Sequence, residues 1–193
     1  MDEQLAVLAG RVRAEAAREG PAAAAHCDHL LGPAGPGELA DALTAPGEPL
    51  WARETAAFRL GCAGDRRAFE SLVLFLNHRD PPRCESAAHA LARLGDPRTA
   101  RAAAALATNA LRTAYALHPV RLLAELRAPE SAPVLIATLN RLLTPQQPYW
   151  RVALACVEGL GSLSDPRARE ALTAAQSHPR LAVAATAALR GLP

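Results

Sequence analysis

Apolar positions along this chain recur every three or four residues and not every second one. Leu5, Leu8 and Val12 share one side of a stretch running from Asp2 to Glu19. Phe69, Leu72, Val73 and Leu76 lie at i, i+3, i+4 and i+7, and Ala87, Ala88, Leu91 and Leu94 form a second stripe of the same kind. A spacing of this sort places the apolar residues on one face of an α-helix, where a strand would alternate them. Helices are expected over Asp2–Glu19, with short helical pieces near Ala22–Leu31 and Glu38–Leu43 inside a Gly-, Pro- and Ala-rich segment. From residue 48 onward the stripes come in pairs, separated by short polar corners.

The pairs repeat. Ala56-Ala57-Phe58-Arg59-Leu60-Gly61-Cys62-Ala63-Gly64-Asp65 aligns with Ala87-Ala88-His89-Ala90-Leu91-Ala92-Arg93-Leu94-Gly95-Asp96 at an offset of 31 residues. Val120 to Ala132 gives a third copy and Val157 to Arg167 a fourth. The corner residues Asp65, Asp96, Ala128 and Asp165 are spaced 31, 32 and 37 apart, and Arg180 to Leu192 repeats a first helix alone. Each corner has a local logic. Gly95 takes a left-handed backbone cheaply and stops the first helix, Asp96 accepts amide hydrogens of the next, and Pro97 has no amide hydrogen to lose. No single hairpin can bury its stripe, so hairpins must stack.

The Ala-Leu-Ala-Arg-Leu-Gly-Asp-Pro-Arg run at 90–98 and its relatives resemble the HEAT-repeat superfamily, in particular the short HEAT-like units also found in phycobilin lyases. The resemblance covers about residues 48–193. It implies an all-α fold, a right-handed α-solenoid of about four and a half hairpins. Residues 1–47 are expected to form an N-terminal helical cap over the first one. It implies nothing about chemistry. The third unit departs from the pattern. His118-Pro119 falls where the first helix should run, which predicts a kink. Pro133 places the start of the following helix at Ser131, and the lengthened loop Leu142–Pro148 predicts a local bend.

Composition narrows the chemistry. The 193 residues include 46 alanines, 30 leucines, 21 arginines, one isoleucine and no lysine. Strand formers are scarce, and Schiff-base and Walker-type phosphate chemistry is excluded. Charge is uneven: residues 1–50 hold three Arg and eight acids, and residues 51–193 hold 18 Arg and 11 acids. No apolar run spans a bilayer and no secretory order opens the chain, so a cytoplasmic protein without membrane contact is expected. Cys27, Cys62, Cys84 and Cys156 form no CxxC pair and read as buried thiols.

Catalytic patterns fail one by one. His26-Cys27-Asp28-His29 packs four ligand types together, but neighbours on a helix point about 100° apart. The di-iron hydroxylases built on HEAT-type repeats carry His-Glu pairs on successive first helices. The matching slots here are Arg53-Glu54, Cys84-Glu85 and Ala153-Leu154, and a guanidinium does not ligate iron. Cys84 and His89 lie on opposite sides of one helix. The Ser-Ser-x-Met-Pro loop of the adenylosuccinate lyases is missing, since Met1 is the only methionine. No catalytic residue, metal ligand or cofactor is therefore assigned, and enzymatic activity is left open.

The expected function is binding of a protein partner on the concave face formed by the second helices, through Arg66, Arg67, Arg98, Arg101, Arg141, Arg167 and Arg169. The alternative is that the same arginines bind nucleic acid or another polyanion, with Trp51, Tyr115, Tyr149 and Trp150 available to stack. Arg98 and Arg167 are also expected to pair with aspartates of neighbouring corners. His78, Arg79 and Arg83, in the polar segment before and after Pro81-Pro82, form a candidate recognition loop. The acidic head could instead lie over the basic body as a lid.

Overall fold

A computed structural model of the protein describes residues 3–144 and 148–193. The described residues form helices and no strand. The elements are α1 (Glu3–Glu19), α2 (Pro21–Leu31), α3 (Pro36–Thr44), α4 (Leu50–Cys62), α5 (Phe69–Leu76), α6 (Pro81–Leu94), α7 (Thr99–Thr108), α8 (Leu117–Leu126), α9 (Ser131–Leu142), α10 (Trp150–Leu163), α11 (Arg169–Ala175) and α12 (Ala182–Arg190). Single 3-10 turns precede α5 and α11, and a longer one, Ala110–Tyr115, precedes α8. The chain divides into two compact units, Met1–Asp96 and Pro97–Pro193, so the boundary falls inside the corner that joins α6 to α7.

The corners carry a backbone signature stronger than their sequences. Gly64, Gly95, Arg127 and Ser164 all have positive φ, at 78°, 64°, 49° and 54°. They recur at intervals of 31, 32 and 37, one residue before the corner positions read from the sequence. The residue before each second helix repeats as well: Ala68, Arg98, Glu130 and Ala168 have φ/ψ of −75/−14, −75/−16, −74/−19 and −76/−12. At two corners the aspartate works identically. Asp65 accepts the amide of Arg67 at 3.0 Å, and Asp165 accepts that of Arg167 at 2.9 Å.

In the first unit α1, α2 and α3 pack against α4, which in turn packs on α5 and α6. The core here is Leu8, Val12, Leu30, Leu39, Phe58, Leu60, Leu72 and Leu91, all nearly inaccessible. In the second unit the first helices pack in series, α8 on α10 and α10 on α12, and the second helices do likewise, α7 on α9 and α9 on α11. Leu122, Leu123, Leu135, Leu139, Leu160 and Leu172 fill the space between the layers.

Glycine sets how closely first helices approach. A Cβ at Gly61 would stand 2.6 Å from Leu72 Cδ1 and 3.1 Å from Ala90 Cβ. At Gly161 it would stand 2.9 Å from Ala188 Cβ and 3.2 Å from its Cα. Both glycines sit four residues before an aspartate corner, and both meet an alanine of the next first helix. The small side chains therefore set the distance between helices.

The third hairpin differs from expectation. Pro119 does not kink a helix, because α8 begins only at Leu117 and the proline lies in its first turn, where amide hydrogens need no intrahelical partner. The preceding chain is the 3-10 stretch Ala110–Tyr115, so α8 is short instead of bent. Helix α9 starts at Ser131, as Pro133 indicated. The expected loop Leu142–Pro148 includes residues 145–147, which lie outside the described residues, as does Asp2 at the start of the first helix.

Two substitutions test the corner and the close approach. Ser164→Gly removes a side chain from a left-handed position and should stabilise the second unit by roughly 0.5–1 kcal/mol. Gly161→Ala should cost about 1–3 kcal/mol, because the α12 backbone has to give way. Urea denaturation of the full chain reads both signs.

Candidate functional site

The arginines assigned from sequence to a binding face divide into groups. In the first unit Arg66 and Arg67 are exposed in the 3-10 turn after α4. Arg67 is held by Asp65, Nη2 to Oδ2 at 2.5 Å, and donates to the Pro36 carbonyl at 3.3 Å. Arg66 Nε stands 4.0 Å from Asp96 Oδ2, a pairing between successive corners. In the second unit Arg98, Arg101, Arg167 and Arg169 are exposed at the N-terminal ends of α7 and α11. Arg167 does not reach a neighbouring corner as expected. It folds back on its own Asp165, with Nε at 2.9 Å and Nη2 at 2.6 Å. The two-residue separation makes this fork the shortest closure available.

Arg141 separates from that group. It lies at the C-terminal end of α9, donating to Thr113 Oγ1 at 2.7 Å and to the Ala107 carbonyl at 3.4 Å. Ala107 is at the C-terminal end of α7, so α7 and α9 run the same way and Arg141 is about ten helical residues, ~15 Å, from the Arg98 end. Nearby, burial pushes the Cys156 thiol up to about 12, against the opposing pull of the Arg141 charge. None of the four cysteines is in a disulfide, and Cys62 is the partly exposed one.

The candidate recognition loop is only partly at the surface. Arg79 is exposed, and His78 is half-buried with Nδ1 accepting the Asp80 amide at 3.0 Å. Arg83 is buried and belongs to a cluster that no sequence pattern indicated. Its centre is the Glu54 carboxylate, 2 % exposed. Glu54 accepts Arg11 Nη1 at 2.8 Å and Ser86 Oγ at 2.9 Å, and it contacts Arg11 Nη2 and Arg83 Nη1 more closely still. Arg83 also reaches Glu15 at 2.5 Å and Asp80 at 3.3 Å. Burial disfavours the charged Arg11 guanidinium, but the hydrogen bond and charge of Glu54, with Glu15, outweigh it and hold its pKa above the ordinary value. The cluster thus fastens α1 to α4 and α6. Glu85, in the matching slot one hairpin on, is exposed.

Other side chains of α4 secure the head in the same way. Arg59 donates to the carbonyls of Leu30 and Ala34 at 2.7 and 3.2 Å, capping the end of α2. Arg53 donates to Ala45 at 3.0 Å, and Trp51 Nε1 to Glu19 at 3.1 Å. Of the head's acids, Glu15 and Asp28 thus meet arginines, Glu19 meets the Trp51 indole, and Glu38 and Glu48 meet histidines.

The four consecutive ligand types at 26–29 diverge. His26 meets Glu48 at 3.1 Å, His29 meets Glu38 at 3.1 Å, Asp28 accepts Arg13 at 2.8 Å, and Cys27 is buried. No group of three His, Cys, Asp or Glu side chains converges among the described residues. Cys84 and His89 also part, the thiol toward the His78 carbonyl at 2.9 Å and the imidazole stacked on Phe58. No helix among the described residues is long and apolar enough to cross a membrane.

Sequence reasoning passed over one aromatic–arginine group. Trp150 lies under two guanidiniums, Arg151 at 5.3 Å and Arg180 at 5.0 Å from its ring centre, and Arg112 lies over Tyr115 at 4.5 Å. The available signal was the distribution of acids: all five acids of residues 97–193 fall within 125–130 and 158–170. Neither protein-family models nor curated protein sequences match the chain.

Two measurements test these assignments. Glu54→Ala removes the central carboxylate from buried Arg83 and half-buried Arg11, leaving them Glu15 and Asp80 only, and should cost about 3 kcal/mol, while Glu85→Ala should stay within about 0.5 kcal/mol, both by urea denaturation. The side-chain and backbone hydrogen bonds from Arg167 lower the Asp165 pKa to about 2. A depressed carboxylate contributes fully above its ordinary value of about 3.9 and loses that contribution as pH falls through the folded value. Asp165→Asn should therefore flatten the acid limb of the stability profile between those two points.

Proposed function

We propose that the chain is a non-catalytic partner-binding module, a right-handed α-solenoid of HEAT-like hairpins that presents arginines from its second helices to a protein ligand. The observation that carries this reading is the placement of Arg98, Arg101, Arg167 and Arg169, exposed at the N-terminal ends of α7 and α11 in a layer where second helices pack in series. Guanidiniums held at equivalent corners form a spaced set of planar donors matched to carboxylates. The recurring left-handed corners and the serial packing of first helices support a repeat architecture. On this reading residues 1–47 cap the first hairpin through α4, with Glu15 and Glu19 of that segment meeting Arg83 and Trp51.

A second reading has one observation of its own. Residues 97–193 carry 11 arginines and five acids, while residues 1–96 carry ten and 14. The charge separation favours a polyanion on the second unit, and salt-sensitive retention of a labelled oligonucleotide would identify it.

The test of the first reading is an Arg98→Ala, Arg101→Ala, Arg167→Ala variant. It should keep the wild-type helical circular dichroism and melting temperature, since these side chains are exposed. It should lose the proteins that the wild-type chain retains on affinity purification from its host. Retention of the same proteins with unchanged salt sensitivity would refute the concave-face assignment.

A further inference from the structure

In the second unit the layer of first helices leaves one side of α12 uncovered. Helix α12 packs on α10 and on α11, burying Ala185 and Ala188. Its nine residues carry a single charge, Arg190. Val183 stands 85 % exposed on the outward side, and Ala187 is exposed one turn on. A helix at the open side of a stacked layer needs a polar outer face to remain alone in water. Beside it, between α12 and α10, runs an open groove of about 450 Å³. Glu158 and Ser162 line the α10 wall of this groove, and Ala184, Ala187 and Gly191 line the other.

The uncovered side complements itself. Val183, Ala187 and Gly191 lie four residues apart and form one ridge along the helix. The ridge offers a knob at one end, a small side chain at the centre and a gap at the other end. A Cβ at Gly191 would meet only the Ala188 carbonyl, at 3.6 Å, so the gap is open. Reversing the helix exchanges knob and gap. A second α12 laid antiparallel across the first, centred on Ala187, sets each Val183 against the other Gly191, about 6 Å from the centre at ~1.5 Å per residue. The charges obey the same exchange. Helices α10 and α12 run the same way, since Gly161 stands against Ala188 while Glu158 lines the groove with Ala184. In the reversed pair Arg190 of one copy is level with Ala184 of the other, and so with Glu158. Both charged side chains are exposed.

We infer that α12 and the groove beside it dock a second copy of this chain, α12 on α12 about a twofold axis, with Val183 in the partner's Gly191 gap and Arg190 paired to the partner's Glu158. One face then serves both copies, as a closed dimer requires. An unrelated protein would need the same order of knob, gap and opposite charges, and a second copy already carries it. The contact is one short helix and one groove wall, which suits a reversible dimer and not a permanent one. It uses none of the arginines of the proposed binding face, so the two readings stand or fall separately.

The experiment is sedimentation velocity on the full chain over roughly a hundredfold range of concentration. The forms compared are wild type, Val183→Asp, Arg190→Glu, Glu158→Arg and the double variant Arg190→Glu/Glu158→Arg. Circular dichroism and melting check that each is folded, and all three positions are exposed. Wild type should pass from monomer to dimer as concentration rises. Val183→Asp should weaken the dimer roughly tenfold or more, since it buries a charge twice. Each single charge reversal should weaken it roughly threefold or more, and the double variant should return to within about twofold of wild type. Monomer throughout, or a dimer indifferent to Val183→Asp, overturns the inference. Failure of the double variant to recover overturns the antiparallel pairing. Growth past the dimer indicates a head-to-tail contact and overturns the twofold arrangement.

Discussion

The architecture depends on one backbone constraint, the left-handed residue that follows the first helices α4, α6, α8 and α10. A chain leaving a helix must satisfy its last carbonyls and redirect within a few residues. Here one residue at positive φ makes the change, and the residue before each following helix then returns to nearly the same φ/ψ. With the corner fixed, the angle between paired helices is fixed, and with it which faces meet. Glycine is the cheapest occupant and serves at Gly64 and Gly95. Arg127 and Ser164 hold the same conformation under strain, so surrounding packing must enforce it there.

A second constraint acts inside the first unit and is of the opposite character. The left-handed corners are local and repeat, whereas the Glu54 cluster is long-range and occurs once among the described residues. Two guanidiniums around one buried carboxylate rarely add net stability over an apolar core of equal volume. Their value lies in geometry. Arg11, Arg83 and Ser86 each meet Glu54 from a defined direction, so α1 docks on α4 and α6 in one register. An alanine-rich helix could slide along an apolar surface at small cost, and the ionic cluster removes that freedom.

How much of this could be read from the residues follows from the range of each interaction. Helices and corners are set by local spacing and by Gly, Asp and Pro, so α1, α2, α3 and the start of α9 stand close to where the pattern put them. The short α8 was missed because a proline reads the same way inside a helix as in its first turn until the start of that helix is known. The Glu54 cluster was invisible for another reason. Arg11, Glu54 and Arg83 lie far apart in sequence, and each alone looks like a solvated charge. Glu54 and Glu85 fill equivalent slots, yet one is enclosed by Arg11, Arg83 and Ser86 and the other stands exposed at the rim of the cleft between α1 and α6. Of the assigned arginines of the second unit, Arg98, Arg101, Arg167 and Arg169 all lie at N-terminal ends of second helices, and Arg141 lies at the other end of its helix.

The reach of the same cluster sets an order of events during synthesis. Arg83 and Glu15 are 68 residues apart. Until α6 has emerged, the first helix has no arginine from that side to meet, and Glu54 is only half answered. The head therefore cannot lock as it is made, although its own helices are short and form quickly. Its helices α1 to α4 can pack on one another first, and the ionic register closes only when α6, made later, supplies Arg83 and Ser86. A long-range closure of this kind raises the entropy that must be spent before contacts accumulate. The alanine-rich helices between keep the intervening chain short in space, since each residue in a helix advances the chain by only about 1.5 Å.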